Sequence, residues 1–125
     1  MLEKHVEDSL TEQTYLVMHK HINGYGRLFG GQLLAWIDEL AGIVAKRHSE
    51  SEITTACIDQ LNFKHPAVLN DTLVMIGRVT YVGRTSMEVR VDSYVEILNG
   101  MRKMINRAYV VPRHRARSPT PRKAI

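Results

Sequence analysis

The chain has a single cysteine, Cys57, so it cannot close an internal disulfide, and a reducing, cytoplasmic setting is the default expectation. No apolar run approaches the ~20 residues needed to span a bilayer, so no membrane segment is expected. The first eight residues carry acids and no apolar stretch, unlike a signal peptide. Basic charge is also scarce where it would matter. Without the five Lys and Arg of residues 113–125, 12 basic residues face 13 acidic ones. The body is therefore near neutral, and a nucleic-acid-binding face is not indicated. The basic charge sits in a proline-containing tail over 113–125, which reads as disordered and solvated, a weak anionic contact being the alternative. There is no internal repeat.

Several chemistries are missing too. No Gly-x-x-x-x-Gly-Lys-Ser/Thr loop and no dinucleotide fingerprint occur. Ser86 lacks a Gly-x-Ser-x-Gly elbow, so a serine-hydrolase triad is not expected. His19 and His21 are not followed by a carboxylate at ligand spacing, so no metal site is expected. Cys57 falls in a strand-like segment and reads as core.

What is present is a pattern of strand, helix and four strands. Residues 14–20 are rich in strand formers. A glycine-rich loop leads into a helix ending near residue 49. Strands follow over 53–63, 72–82, 85–98 and 101–111, with a corner at Val82-Gly83-Arg84-Thr85 and a type I′ hairpin signal at Asn99-Gly100. In the fourth strand Met87, Val89, Val91, Ser93 and Val95 alternate with Glu88, Arg90, Asp92 and Glu96, predicting one buried and one wet face. Pro112 predicts that the last strand stops there. The order gives an α+β domain over residues 1–112, an antiparallel sheet wrapped around one long helix.

At about 100° per residue, Leu33, Ile37, Leu40, Ala41 and Val44 make one apolar stripe and Gln32, Glu39 and Lys46 a wet one. Asp38 falls between them, beside Gly31, Ala35, Gly42 and Ala45, on a side with room for another chain or a ligand. Trp36 and Ile43 share a further apolar edge, predicting a subunit contact. Asp38 reads either as a surface carboxylate or as a functional one. The loop glycines read either as a tight helix entry or as amides for a negative charge. Asn23 reads either as a turn former or as a donor to an oxyanion.

Taken together, Asn23-x-x-Gly26-x-Leu28-Phe29-Gly30-Gly31 and Trp36-Ile37-Asp38-Glu39 resemble the signature of the hot-dog-fold acyl-CoA thioesterases, specifically the cytosolic acyl-CoA hydrolase group. Thr54-Thr55, Phe63-Lys64-His65-Pro66, Gly83-Arg84-Thr85-Ser86-Met87 and Asn106-Arg107-Ala108-Tyr109 extend the resemblance over residues 10–111. It implies hydrolysis of acyl-CoA to free acid and CoA, with no cofactor beyond the CoA of substrate and product. It implies a homodimer, often a trimer of dimers, with active sites between chains. By that match Asp38 is base or nucleophile, Asn23 its partner from the other chain, and Thr55 a positioner of water. Gly30 and Gly31 would polarise the carbonyl, and Arg84, Thr85 and Ser86 would lie near the CoA moiety. Two alternatives stay open. One is a hot-dog hydratase or dehydratase, needing a histidine such as His21 to face the carboxylate. The other is a non-catalytic acyl-CoA-binding module.

Overall fold

The computed structural model describes residues 10–49, 53–58, 63–84 and 87–114. Five strands, β1 (Thr11–Leu16), β2 (Ile53–Ile58), β3 (Thr72–Val82), β4 (Met87–Glu96) and β5 (Arg102–His114), form one antiparallel sheet in the order β1-β3-β4-β5-β2. The helix α1 (Gly30–Ser49) lies across one face of it. This is the hot-dog arrangement, and the expected α+β class holds.

The helical stripe that periodicity predicts is the core. Leu33, Ile37, Leu40, Ala41 and Val44 are fully buried, with Leu73, Met75 and Val79 of β3 and Val89 and Val91 of β4 in the same cluster. Each of these side chains other than Ala41 contributes roughly 1.5–3 kcal/mol by leaving water. The helix presses closest at Gly77. A Cβ there would stand 3.0 Å from Val44 Cγ2 and 3.2 Å from Leu40 Cγ. These contacts place Leu40 and Val44 of the helix over the middle of β3.

Several expectations shift on folding. The first strand spans Thr11–Leu16 rather than 14–20, because its ladder with β3 ends at Leu16↔Thr72. Beyond it Val17 N donates to Asp71 O, and residues 19–21 close into a short 3₁₀ turn. Phe63 lies in a loop rather than a strand, and residues 59–62 lie outside the described residues. The turn at Asn99-Gly100 is not type I′, which needs φ > 0 at both central residues, and only Gly100 has it (φ 85°). Gly100 N donates to Ile97 O and Ile97 N to Met101 O, so the hairpin has a three-residue loop with glycine in the left-handed position.

The last strand does not stop at Pro112. β5 continues to His114, with Pro112 opposite Thr55 of β2. The ladder to β4 ends at Val89↔Val110, so Pro112 sits where β5 has β2 alone as neighbour, and its missing N–H removes no bond to β4. Trp36 is not a free edge either. It is 93% buried, stacked on Tyr15 at 4.3 Å between ring centres, with His21 edge-on at 4.8 Å. Ala45, expected beside Asp38, is fully buried and belongs to the core cluster.

The outer face of the sheet holds another surprise. Asp92, predicted wet, is only 2% exposed. Arg107 of β5, its ladder partner, places Nε 2.7 Å from Oδ1, and Arg90 Nε lies 3.3 Å from Oδ2, close enough for ionic attraction but not angled for a hydrogen bond. The carboxylate holds the Arg107 guanidinium above its ordinary pKa, through the hydrogen bond first and charge second. The alternation itself was right, since Met87, Val89, Val91, Ser93 and Val95 all face inward and are buried.

Candidate active site

The segment between the 3₁₀ turn and α1 is a small hairpin of its own. Ile22 and Leu28 form an isolated bridge, Asn23 N donates to Arg27 O at 2.8 Å, and Gly26 N donates to Asn23 O at 3.0 Å. Gly26 has φ 75°, a conformation that side chains other than glycine rarely adopt. Asn23 Oδ1 accepts from Tyr25 N at 2.9 Å and Arg27 N at 3.2 Å. The turn-former reading of Asn23 therefore holds. Its carbonyl oxygen builds the turn, which leaves its NH2 group, a donor, as what it can offer a substrate.

The same loop is stitched to the segment before β3. Leu28 N donates to Ala67 O at 2.7 Å, Arg27 bridges Val68, and Phe29 N donates to His21 O. The helix then starts at once. Gln32 N and Leu33 N both donate to Phe29 O, which makes Phe29 the cap residue, and a phenylalanine has no side-chain acceptor for the first amides. No acid stands in the first turn. The Gly30 and Gly31 amides thus head a helix N-terminus, where negative charge is favoured. A Cβ at Gly31 would lie 2.7 Å from Phe29 Cε2, so any larger residue must push that ring aside.

Asn23 and Gly30 share a cleft of about 420 Å³. Its other walls are Arg27 and Leu28 from the loop and Phe63, Lys64, His65 and Pro66 from the segment before β3. Lys64 N donates to Ile105 O at 2.7 Å, which ties that segment to β5. Arg27, Lys64 and His65 were not assigned a site role from the sequence, although Phe63-Lys64-His65-Pro66 was part of the resemblance. Their signal was the pairing of Arg27 with Lys64-His65, which only the Leu28–Ala67 stitch brings together.

The remaining candidates lie elsewhere in the chain. Asp38 is exposed on α1, about 12 Å along the axis from Gly30 at 1.5 Å per residue, and does not line the cleft. Gly31, Leu34, Ala35 and Asp38 share one exposed stripe, with Phe29 also exposed nearby and Tyr25 89% exposed. Thr55 lies in β2, opposite Pro112, beside a register shift between Thr55 and Cys57. Arg84 is exposed beyond the end of β3, a strand of roughly 36 Å, at the opposite end of the sheet from the Asn23 loop. Thr85 and Ser86 lie outside the described residues. His21 is committed to structure: its Nδ1 accepts from Met18 N, and its ring rests on Trp36. Among the described residues, no helix is long and apolar enough to cross a membrane.

Residues 25–97 match the model of the Thioesterase superfamily. The chain belongs to this superfamily. An acyl-CoA thioester hydrolase of Zymomonas mobilis is 37% identical over 79 residues, which cover 63% of this chain and 53% of the relative. The chain spans about half the length of the curated relatives it matches. An acyl-CoA hydrolase from Staphylococcus aureus, solved with butyryl-CoA, CoA and CoA disulfide, superposes with a TM-score of 0.86 at 29% identity, over 89% of this chain and 68% of that one. A hexameric acyl-CoA thioesterase, solved without ligand, superposes with a TM-score of 0.84 at 40% identity, over 93% of this chain and 75% of that one. The staphylococcal enzyme has also been solved with an aspartate, an asparagine or a threonine replaced by alanine.

Proposed function

We propose that this protein hydrolyses acyl-CoA thioesters to free acid and CoA, in active sites that join Asn23 of one copy to Asp38 of another. The single observation carrying this is a spacing. The three residues varied in the staphylococcal hydrolase follow one another as asparagine, aspartate and threonine at intervals of 15 and 17 residues. Asn23, Asp38 and Thr55 stand at the same intervals. The separation of Asp38 from the chain's own cleft supports a site completed by a second copy. So does the exposed stripe of small and apolar residues around Asp38. A homodimer, assembled further as a trimer of dimers, is the arrangement we favour, and the hexameric relative is in keeping with it.

In this reading the thioester carbonyl oxygen faces the Asn23 NH2 group and the Gly30 and Gly31 amides. One such donor lowers the barrier by about 3–4 kcal/mol. Asp38, as base or nucleophile, supplies the attack on the carbonyl carbon. As a base it takes a proton from water, with Thr55 holding that water, and contributes ~10²–10⁴ in rate. Collapse of the tetrahedral intermediate breaks the C–S bond, and the thiolate leaves without a dedicated acid and is protonated. No cofactor is required. Arg84, Thr85 and Ser86, at the far end of the sheet, would reach a CoA moiety only across copies. The commitment of His21 to Met18 and Trp36 disfavours a hydratase. The lone cysteine fits a cytoplasmic setting.

Incubation with acyl-CoAs of graded chain length and a thiol-reactive dye should release CoA. Absence of release at every length overturns the hydrolase reading, and tight CoA binding without release would mark a binding module. Co-refolding Asp38→Asn with Asn23→Asp should restore part of the activity that each variant lacks alone. No recovery in confirmed mixed oligomers overturns the shared site.

A further inference from the structure

Three rings, Tyr15, His21 and Trp36, form a cluster to which the reaction gives no task. Trp36, in the second turn of α1, is buried, stacked on Tyr15 of β1 at 4.3 Å and met by His21 at 4.8 Å with the ring planes 74° apart. The Tyr15 hydroxyl stands 3.0 Å from Glu39 Oε1, three residues beyond Trp36 on the same helix, and also reaches Gln13 Oε1. Burial first, and the Glu39 carboxylate second, push the Tyr15 phenol above its ordinary pKa, so the hydroxyl stays protonated. The helix start and β1 are thus locked together beside His21.

His21 joins this lock to the Asn23 hairpin. Its Nδ1 accepts from Met18 N at 3.0 Å. Its carbonyl oxygen accepts from Phe29 N at 3.1 Å, one rung below the Ile22–Leu28 bridge, so His21 closes the hairpin at its base. The second arm of the hairpin is tied to the segment before β3 through Leu28 and Arg27. The first arm, which carries Asn23, meets the helix through the His21 ring, with Ile22 packed on the core beside it. The donors of the proposed site stand on these two elements. The Gly30 and Gly31 amides belong to the helix, and the Asn23 NH2 group belongs to the hairpin. One carbonyl oxygen meets both only if hairpin and helix keep their relative place, and a shift of about 1 Å in such an arrangement costs up to ~10² in rate.

We propose that His21 is a positioning residue, holding the Asn23 amide in register with the Gly30 and Gly31 amides through its ring contact with Trp36 and its bond to Phe29. This rests on the acyl-CoA reading and deepens it. His21 touches no substrate in this role.

The test measures acyl-CoA turnover in variants of the full chain. His21→Ala should lower kcat about tenfold with KM within twofold, because a donor is misaligned while the binding surfaces stay. An unchanged kcat, or a loss confined to KM, overturns the proposal. His21→Asn keeps an acceptor for Met18 N but has no ring for Trp36, so it should lose most of the same rate. Full activity in His21→Asn would place the effect in the 3₁₀ turn and overturn the proposal. A double-mutant cycle separates positioning from general support of the fold. In an Asn23→Asp background the NH2 donor is gone and the loop bonds remain, so His21→Ala should lower kcat less than about twofold further. An equal fall in both backgrounds overturns the proposal, as does a fall that vanishes when turnover is referred to the folded fraction from melting curves. If the native protein releases no CoA, the hydrolase reading fails separately. Amide exchange then decides: His21→Ala should speed exchange about tenfold at Tyr25 and Arg27, whose N–H groups bond to Asn23 Oδ1, and leave Leu40 and Val44 unchanged. Equal exchange in the two proteins overturns the positioning.

Discussion

Asp38 and Asp92 are carboxylates on two faces of one small domain, and their surroundings are opposite. Asp92 stands on the sheet face that no helix covers, yet it is 2% exposed, enclosed by Arg107 and Arg90. Asp38 stands on the helix and is exposed, on a stripe with Gly31, Leu34 and Ala35. The buried carboxylate is fully provided for within its own chain, as a structural ion pair. On the proposed function, the low-dielectric surroundings that tune a catalytic carboxylate would come to Asp38 from another copy. On that proposal, burial of a charge within one chain does not by itself mark the site of chemistry.

The comparison can be broken in order of expected effect. Asp38→Asn should lower turnover by ~10²–10⁴ while circular dichroism and the oligomer stay unchanged; retained turnover would remove Asp38 from the mechanism. Asn23→Asp keeps the oxygen that accepts from Tyr25 and Arg27 but loses the NH2 donor, so turnover should fall ~10²–10³ with the loop intact. Asn23→Ala should lose both the rate and some melting temperature. Asp92→Ala should cost about 1–3 kcal/mol in urea unfolding, with turnover per folded molecule unchanged. That figure sits below the range for a fully buried pair because Arg107 and Arg90 remain 39% and 24% exposed and can turn to water. The smallest effect belongs to Asp38→Ala in the same unfolding assay at protein concentrations that keep the chain monomeric, within about 0.5 kcal/mol of the native protein. A large loss there, or a loss of turnover in Asp92→Ala, would reverse the assignment of roles.

Much of this was legible in the residues. The helix, its buried stripe and the inward face of the fourth strand follow from periodicity, because a one-faced element repeats its apolar residues at its own period. The 23–31 loop and Asp38 were found because glycine spacing and a lone carboxylate between two stripes are local patterns. Other features were not local. The ends of the first and last strands depend on which neighbour continues the ladder, at Leu16↔Thr72 and Thr55↔Pro112. The Asn99-Gly100 turn depends on loop length, which the register of β4 on β5 sets. Asp92 reads as solvent-facing until Arg107, 15 residues away, is placed opposite it.

The sequence by itself determined the α+β class, the helix and its inward face, and the residues available for chemistry, since these rest on propensity, period and side-chain identity. The tertiary structure alone decided their grouping. Chain stitching across long intervals put Asn23, Gly30, Arg27 and Lys64 around one cleft. A rigid helix of 1.5 Å per residue kept Asp38 away from it.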